Sequence, residues 1–436
     1  MLSMRNKARL ICVLGFMLSI MCMTAACAGQ LGNKLAFSGE GAKLEQALPE
    51  PEEIYAVMNF PENVEKSEEE MLEEAVDQYL SQMTVEEKAA QLFILLPEAL
   101  VNGTGTVTAA GSVTQDAINR FPVGGLIYME GNLQSREQVQ TMLANVQIYS
   151  MERTGLPMLL CVDEEGGTVA RIGKSGRFDV PVIEDMAVLG ERQSTEEAYD
   201  AGVTMGAYLS ELGFNVDFAP VADVWSNPEN TVVKKRSFGS DPTMVSAMAI
   251  AVAQGLESQN IHATYKHFPG HGSTAADTHE GYAYTDKSLD ELMACELLPF
   301  QEAVDNGAKI IMIGHISLPN VTGDHTPASL SPEIITDLLR TQMQYDGIVV
   351  TDALGMGAIV RQYSSAEAAV QTILAGSDLI LMPQNFQEAY QGILDAVENG
   401  TISQERLDES VRRILRMKIK MMEDTNPGIN SGNIDP

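Results

Sequence analysis

The sequence predicts an α/β fold, a (β/α)8 or TIM barrel formed by one domain, with no second C-terminal domain. Short apolar runs recur along the chain, as expected of buried parallel strands that are covered by helices. Eight such runs lie at residues 91–96, 124–128, 158–162, 216–221, 262–265, 309–313, 347–350 and 378–382. Amphipathic stretches typical of the covering helices lie at residues 135–151, 196–212, 244–258, 289–306, 332–343, 366–375 and 386–398.

Ionisable residues follow several of the predicted strands, which favours a closed barrel over its structural alternative, an open doubly wound sheet. These residues are Asp163, Asp223, Lys266, His267, His315 and Asp352. In a barrel, the carboxyl ends of all strands meet at one face, where active sites of this fold lie. An open sheet would distribute the same residues along a long edge.

The two ends of the chain have the composition of segments outside a folded domain. Residues 1–26 combine a short basic start, an apolar run and small residues, which predicts an export signal peptide. Cys27 follows Thr-Ala-Ala and resembles the lipidated cysteine of bacterial lipoproteins, with plain secretion as the alternative. Residues 27–70 are predicted to be an acidic flexible tether, 71–422 the barrel, and 423–436 a polar tail.

Charge and cysteine content exclude several classes of partner. The 28 basic and 60 acidic residues give a formal charge of −32, which argues against nucleic acid and against a basic membrane-binding face. Membrane contact is expected only through lipidated Cys27, on the outer face of the cell membrane. Cys161 and Cys295 are expected to be buried free thiols. The basic side of the last helix, residues 404–421, is expected to be a solvated face.

Chemistry is predicted where four of the six histidines fall, between His262 and His279. Pro269 and Gly270 prevent a helix there, so the segment is expected to be a strand end that runs into a loop. The loop contains Asp277 and His279 two residues apart, close enough for the carboxylate to orient the imidazole and bias its proton affinity.

A metal-dependent hydrolase is one alternative for this segment, since His267, His271, Asp277 and His279 are residue types that bind zinc. Pro269 and Gly270, however, break the helix that would place the first two histidines on one face. We therefore expect no metal and no other cofactor.

Two further strand ends contain acids with alternative roles. Asp352, after Val-Val-Thr, could be a nucleophile at a sugar carbon or the N-cap of the next helix. Asp163 and Arg171, in Cys-Val-Asp-Glu-Glu-Gly-Gly-Thr-Val-Ala-Arg, could hold a sugar or form an exposed salt bridge.

Together these motifs resemble glycoside hydrolase family 3, and more narrowly its bacterial β-N-acetylglucosaminidases (β-hexosaminidases) of peptidoglycan turnover. The resemblance rests on Lys-His-Phe-Pro-Gly-His-Gly with the later Asp-Thr-His, on Asp-Glu-Glu-Gly-Gly, on Lys-Arg-Ser-Phe-Gly and on Thr-Asp-Ala-Leu. The motifs occur in the family's order, and the similarity extends from about residue 84 to residue 422.

The resemblance implies a retaining exo-β-N-acetylglucosaminidase that acts on peptidoglycan fragments by double displacement. Asp352 matches the nucleophile, His279 the acid/base and Asp277 its partner. The N-acetylglucosamine-binding residues are matched by Asp163, Arg171, Arg236, Lys266 and His267. A non-enzymatic sugar-binding lipoprotein is a further alternative, and phosphorolysis stays open because an imidazole repels a phosphate acceptor less than a carboxylate does. His271 is expected to support loop packing, and His315 to line the barrel mouth or form hydrogen bonds inside it, whereas Trp225 could stack on a sugar or cover the core.

Overall fold

The computed structural model describes residues 66–274 and 283–425. The predicted signal peptide, Cys27, nearly all of the tether, most of the tail, and both Asp277 and His279 lie outside these residues. Within the described ranges, no helix combines the length and the apolar character needed to span a membrane.

All eight predicted strands are present in one parallel sheet. In chain order the strands are β1 (Phe93–Leu95), β2 (Gly125–Ile127), β3 (Leu159–Val162), β4 (Glu164–Gly166), β5 (Val169–Ala170), β6 (Val216–Asp217), β7 (His262–Phe268), β8 (Ala283–Tyr284), β9 (Ile310–Ile313), β10 (Ile316–Ser317), β11 (Ile348–Thr351) and β12 (Ile380–Leu381). The large sheet has the order β11-β9-β7-β6-β3-β2-β1-β12, whereas β4 pairs with β5 and β8 pairs with β10.

The sheet closes on itself between its first and last members. Val350 bridges Leu379 in parallel. The amide of Thr351 donates to the carbonyl of Leu379 at 3.0 Å, and the amide of Leu379 donates to the carbonyl of Val349 at 3.0 Å. The barrel prediction is therefore confirmed, and the open doubly wound alternative is wrong.

Helices surround the barrel largely as the amphipathic stretches predicted. They are α1 (Glu68–Gln82), α2 (Val85–Gln91), α3 (Pro97–Leu100), α4 (Ser112–Arg120), α5 (Arg136–Thr154), α6 (Met186–Arg192), α7 (Thr195–Leu212), α8 (Pro242–Glu257), α9 (Leu289–Ala294), α10 (Leu298–Asp305), α11 (Pro319–Thr322), the π-helical α12 (Glu333–Gln342), α13 (Gly357–Val360), α14 (Ser365–Ala375), α15 (Phe386–Glu398) and α16 (Gln404–Thr425). The stretch predicted as one helix at 289–306 is two helices, because the chain leaves helical geometry at Cys295. Cys161 is buried and Cys295 half-buried, and both are free thiols.

The folded part begins earlier than predicted. The side chain of Ser67 accepts from the amide of Glu70, and the Glu70 carboxylate accepts from the amide of Ser67, which forms a capping box for α1. The acids at 68–70 therefore form a first helical turn, where negative charge is favourable, and do not belong to the tether.

The last helix closes the amino-terminal end of the barrel, which we call the base. Lys418, which is fully buried, donates to Oε1 of Gln91 just before β1 at 2.9 Å. Ser410 donates to Asp378, just before β12, at 2.7 Å. Further along α16, Met421 lines a base cavity of about 520 Å³.

The basic side of α16 is not the solvated face that we expected. Arg406 donates to the carbonyls of Ile373 at 3.0 Å and Ser377 at 2.7 Å. Arg416 donates to Glu69 of α1 at 2.8 Å. The basic residues therefore attach the last helix to the barrel and to the first helix, because this surface of the barrel presents acids and carbonyls.

Candidate active site

A cavity of about 360 Å³ opens among the carboxyl ends of the barrel strands. All six predicted site residues that the structure describes line it. They are Asp163, Arg171, Arg236, Lys266, His267 and Asp352. The larger base cavity contains none of the predicted site residues. The cavity at the carboxyl ends is therefore the candidate active site, at the face where barrels of this type hold their chemistry.

A short hairpin brings Arg171 back beside Asp163. Asp163 follows β3, and the turn between β4 and β5 contains Gly166 and Gly167 with φ values of 85° and 56°. A side chain at Gly167 would meet Asp185 Oδ1 at 2.3 Å, so glycine is needed for both space and conformation. The returning strand places Arg171 Nη2 3.3 Å from Asp163 Oδ2.

A buried cluster of charges forms one wall of the cavity. Lys266 Nζ lies 2.9 Å from Asp163 Oδ1 and 2.6 Å from Glu165 Oε1. Arg236 holds Glu165 with two hydrogen bonds, each 2.7 Å long. Burial raises the pKa of Glu165, but the charges of Arg236 and Lys266 outweigh that effect and hold the pKa far below its ordinary value. Glu165 is therefore ionised across the physiological pH range.

His267 is oriented by an acid that lies beneath it. Its Nδ1 lies 2.7 Å from Asp223 Oδ2, and Asp223 Oδ1 accepts the backbone amides of His267 and His271 at 3.2 and 2.6 Å. Burial raises the pKa of Asp223, but the adjacent imidazoles of His267 and His271 outweigh burial, so the pKa lies below its ordinary value. The Asp223 carboxylate thus fixes the ring of His267, whose Nε2 faces Arg236 at 3.4 Å.

Asp352 lies at the end of β11 and does not cap a helix. Helix α13 begins five residues later with Met356 as its N-cap, so the capping alternative is wrong. Asp352 Oδ1 accepts the amide of Ala353 at 2.7 Å. Burial raises the pKa of Asp352, but the nearby imidazoles of His267 and His315 and the bond from Ala353 lower it overall. The carboxylate is therefore ionised near neutral pH.

His315, Trp225 and His271 differ in where they lie relative to the cavity. His315 contacts Ser329 Oγ at 2.8 Å through Nδ1 and the carbonyl of Ala353 at 3.0 Å through Nε2, which fixes the backbone beside Asp352. Trp225 donates to the carbonyl of Asn230 at 2.9 Å and does not line the cavity. His271, in contrast, does line the cavity.

Two residues of the cluster were missing from the predicted site: Glu165 and Asp223. Glu165 could have been found from strand alternation, because side chains two residues apart face the same way and Asp163 was already assigned to the site. Asp223 follows a strand and was noticed, but only the folded barrel places it under His267.

Part of the cavity lining is apolar, and the lining methionines are Met129, Met312, Met356 and Met382. In the described part of the chain, no three His, Cys, Asp or Glu residues are grouped as a metal site. The zinc alternative of the sequence also used Asp277 and His279, which lie outside the described residues.

A barrel whose strand ends bring together these acids, bases and histidines defines a class of glycosidase-like proteins, and comparison with known families agrees. Residues 84–417 match the family described as the glycosyl hydrolase family 3 N terminal domain. The chain belongs to glycoside hydrolase family 3.

Named relatives narrow the similarity within the family. The chain is 32% identical over 331 residues to beta-hexosaminidase A of Pseudoalteromonas piscicida, covering 71% of this chain and 55% of that protein. It is 37% identical over 283 residues to beta-hexosaminidase LpqI of Mycobacterium tuberculosis, covering 63% and 70%. The match therefore spans only about half the length of the first of these relatives.

Solved structures of family 3 proteins are also similar to this chain. The structure aligns with a family 3 beta-N-acetylglucosaminidase from Paenibacillus sp. str. FPU-7 with a TM-score of 0.74 at 36% identity, covering 80% of this chain and 64% of that one. It aligns with M. tuberculosis LpqI with a TM-score of 0.68 at 31% identity, covering 79% and 96%.

Proposed function

We propose that the protein is a retaining exo-β-N-acetylglucosaminidase that removes terminal N-acetylglucosamine from peptidoglycan fragments. One observation carries the proposal. Among the described carboxylates that line the cavity, Asp163 and Glu165 are held in ion pairs, whereas Asp352 is in none. An ionised carboxylate without a cationic partner is the group suited to attack an electrophilic sugar carbon.

The ion-paired wall supplies groups that suit sugar hydroxyls. Asp163 is an acceptor fixed by two cations, and Lys266 is a donor held by two acids. Nε of Arg171 is buried and has no hydrogen-bond partner among the described residues. Such a donor gains most when a ligand oxygen accepts from it, because an unsatisfied buried polar group is costly.

The acid/base step is assigned to His279 with Asp277, both outside the described residues. The described residues that flank positions 275–282 lie beyond the carboxyl ends of β7 and β9. Thr274 is buried and its carbonyl accepts from Asn230 at 2.9 Å, and Ala283 is paired with Ile316 just after β9. In this mechanism His279 first protonates the leaving oxygen and then deprotonates water, while Asp277 orients the ring.

The substrate assignment rests on the size of the cavity and on the relatives. A volume of about 360 Å³ suits one terminal sugar, which supports exo action. Two relatives bear the name beta-hexosaminidase, and a similar structure is a beta-N-acetylglucosaminidase. An imidazole acid/base also adds no negative charge beside the carboxylates of a peptidoglycan fragment.

The test is release of chromophore from an aryl N-acetyl-β-glucosaminide. The wild type should be active, and Asp352→Ala and His279→Ala should each lose nearly all activity. Asp116→Ala, an exposed acid on α4, is the matched control and should behave as wild type. A slow fluorinated substrate should leave one sugar attached to Asp352, detected by mass spectrometry. Sugar binding without turnover would favour the non-enzymatic alternative.

Phosphorolysis is the second candidate, because the described cavity charges balance. Asp163, Glu165 and Asp352 face Arg171, Arg236 and Lys266, so a phosphate acceptor meets no net negative charge. A structure titled beta-glucoside phosphorylase BglX also aligns, with a TM-score of 0.71 at 25% identity, covering 85% of this chain and 64% of that one. Detection of sugar 1-phosphate in phosphate buffer would support phosphorolysis, and finding only free sugar would exclude it.

We further propose export and lipid attachment at Cys27, supported by the signal-like residues 1–26. Cys27→Ser should release the protein from membranes in a fractionation experiment. An unchanged distribution would contradict the anchor.

A further inference from the structure

The middle acid of the Asp-Glu-Glu segment faces away from the cavity. Side chains alternate along a strand, so Asp163 and Glu165 point into the site and Glu164 points to the opposite side. Glu164 is completely buried and does not line the cavity. The proposed reaction assigns it no role, and a buried carboxylate needs a physical reason.

Four donors converge on this carboxylate. Oε2 accepts the backbone amides of Arg171 at 2.7 Å and Ile172 at 2.8 Å. Oε1 accepts the amide of Gly173 at 2.8 Å and the hydroxyl of Tyr208 at 2.8 Å. Three of the four donors are consecutive amides of the segment that carries Arg171. An amide only donates, so this arrangement fits an ionised carboxylate.

A second buried acid, Asp217, lies beside Glu164. Asp217 Oδ1 accepts the amide of Glu164 at 2.9 Å, and its Oδ2 is buried with no partner in the described part of the chain. Burial raises the pKa of Asp217 well above its ordinary value. Burial also raises the pKa of Glu164, but the hydrogen bonds from Gly173, Ile172, Tyr208 and Arg171 act in the opposite direction. With four donors against one, Glu164 is the member of the pair better suited to hold a negative charge.

The guanidinium of Arg171 is poorly fixed by its own contacts. It makes one bond of 3.3 Å to Asp163, whereas Arg236 makes two bonds of 2.7 Å to Glu165. The backbone of Arg171, in contrast, is fixed by a short bond to a buried charge. The orientation of the Arg171 side chain is therefore set mainly by the position of its backbone.

We infer that Glu164 is a positioning residue that holds residues 171–173 and thereby presents Arg171 to the sugar. This inference rests on the proposed function only in that Arg171 contacts substrate. Loss of the carboxylate should loosen Arg171 and weaken sugar binding, with a smaller effect on the chemical step at Asp352.

Glu164→Gln tests this with almost no change in shape. The amide nitrogen replaces one acceptor and faces a donor, so KM for the aryl substrate should rise about tenfold with a smaller change in kcat. Gly173→Ala is a milder variant, because its Cβ would lie 3.0 Å from Glu164 Oε1 and push the carboxylate. It should raise KM less. Tyr208→Phe is the matched control, since it removes the fourth donor but keeps the three amides, and its KM should stay at the wild-type value.

A double-mutant cycle separates positioning from general loosening. If Glu164 acts through Arg171, then Glu164→Gln added to Arg171→Ala should raise KM no further. Equal effects of Glu164→Gln in both backgrounds would overturn the inference, as would an unchanged KM in Arg171→Ala.

A measurement without substrate distinguishes this inference from the proposed function. The side-chain Nε–H signal of Arg171 in a ¹⁵N NMR spectrum is assigned by its loss in Arg171→Lys. Relaxation of this signal should show a more mobile Arg171 side chain in Glu164→Gln and an unchanged one in Tyr208→Phe. With that result, an inactive wild type would overturn the proposed function alone. An unchanged Arg171 signal in Glu164→Gln would overturn the positioning role whatever the activity.

Discussion

Buried charges cluster at both ends of the barrel, and the two clusters differ in what they leave open. The base cluster consists of Asp378, Arg340, Arg413 and Ser410. Asp378 accepts from Arg340 at 2.6 Å, from Ser410 at 2.7 Å and from the amide of Val349 at 2.9 Å, with Arg413 at 3.3 Å. Every Asp378 oxygen is thus occupied by fixed partners that join α12, β11 and α16.

The mouth cluster consists of Asp163, Glu165, Arg171, Arg236, Lys266 and Asp352. It is also rich in ion pairs, and a cavity borders each cluster, because Arg340 and Arg413 of the base cluster line one of about 540 Å³. The mouth cluster differs in that it includes the unpaired Asp352 and the donor of Arg171 that has no described partner. Buried charge alone therefore does not mark an active site. Incomplete satisfaction of the charged groups, and not a bordering cavity alone, distinguishes the functional cluster from the structural one.

The largest expected effect is at Asp352. Asp352→Ala should lower kcat/KM by about 10⁴-fold or more, because no covalent intermediate can form. The melting temperature should fall only slightly, because the lowered pKa of Asp352 makes its ionised carboxylate modestly stabilising, whereas no described ion pair is lost. Steady-state kinetics and calorimetry check both. A large loss of stability would place Asp352 with the base cluster.

Asp378→Ala should give the opposite pattern. It leaves Arg340 and Arg413 buried without their partner, which should cost about 3–5 kcal/mol in the free energy of unfolding. Activity per folded molecule should stay unchanged. Urea denaturation measures the loss, with Asp346→Ala as control, because Asp346 is exposed and contacts the same Arg413. The control should change stability by about 1 kcal/mol or less.

Lys266→Met should affect both function and pH dependence. It removes the cation shared by Asp163 and Glu165, so kcat/KM should fall by about 100-fold. Lys266 also helps to lower the pKa of Asp352, after the larger effects of burial, His267, His315 and Ala353. Without it that pKa rises, and the acidic limb of the kcat/KM profile should move to higher pH. An unshifted limb would contradict this coupling.

The smallest effect is expected at Lys418, and it depends on pH. Burial lowers its pKa to about 7, whereas an unfolded lysine keeps its ordinary value near 10.5. Between these values the unfolded chain binds more protons, so wild-type stability should rise with pH there. Lys418→Met should therefore be more stable by about 1–3 kcal/mol at pH 6, with the difference vanishing near pH 10.

Chemical denaturation at the two pH values measures this difference. Lys420→Met, at an exposed position of the same helix, should show no such dependence. A Lys418→Met difference that stays constant with pH would contradict the buried charge.

The comparison of the two ends also shows what the sequence could predict. Apolar runs of strand length revealed all eight strands, and the polar residues that follow them indicated the mouth, since both are local patterns. The contacts between charged side chains, in contrast, join residues that are far apart in the sequence. Lys266 meets Asp163 across 103 residues, and Lys418 meets Gln91 across 327. The basic side of α16 was misassigned because its acceptors come from distant segments that only the closed barrel brings near. Asp277 and His279 remain predictions.

The pairing of β1 with β12 in the sheet, with α16 across the base, has a consequence for how the molecule acquires its shape. Its first and last strands are neighbours, so a chain still emerging from the ribosome or from an export channel lacks the partner that completes the sheet. Contacts between such distant segments form slowly, because a long loop must close first. The final shape can therefore appear only after β12 and α16 have been synthesised.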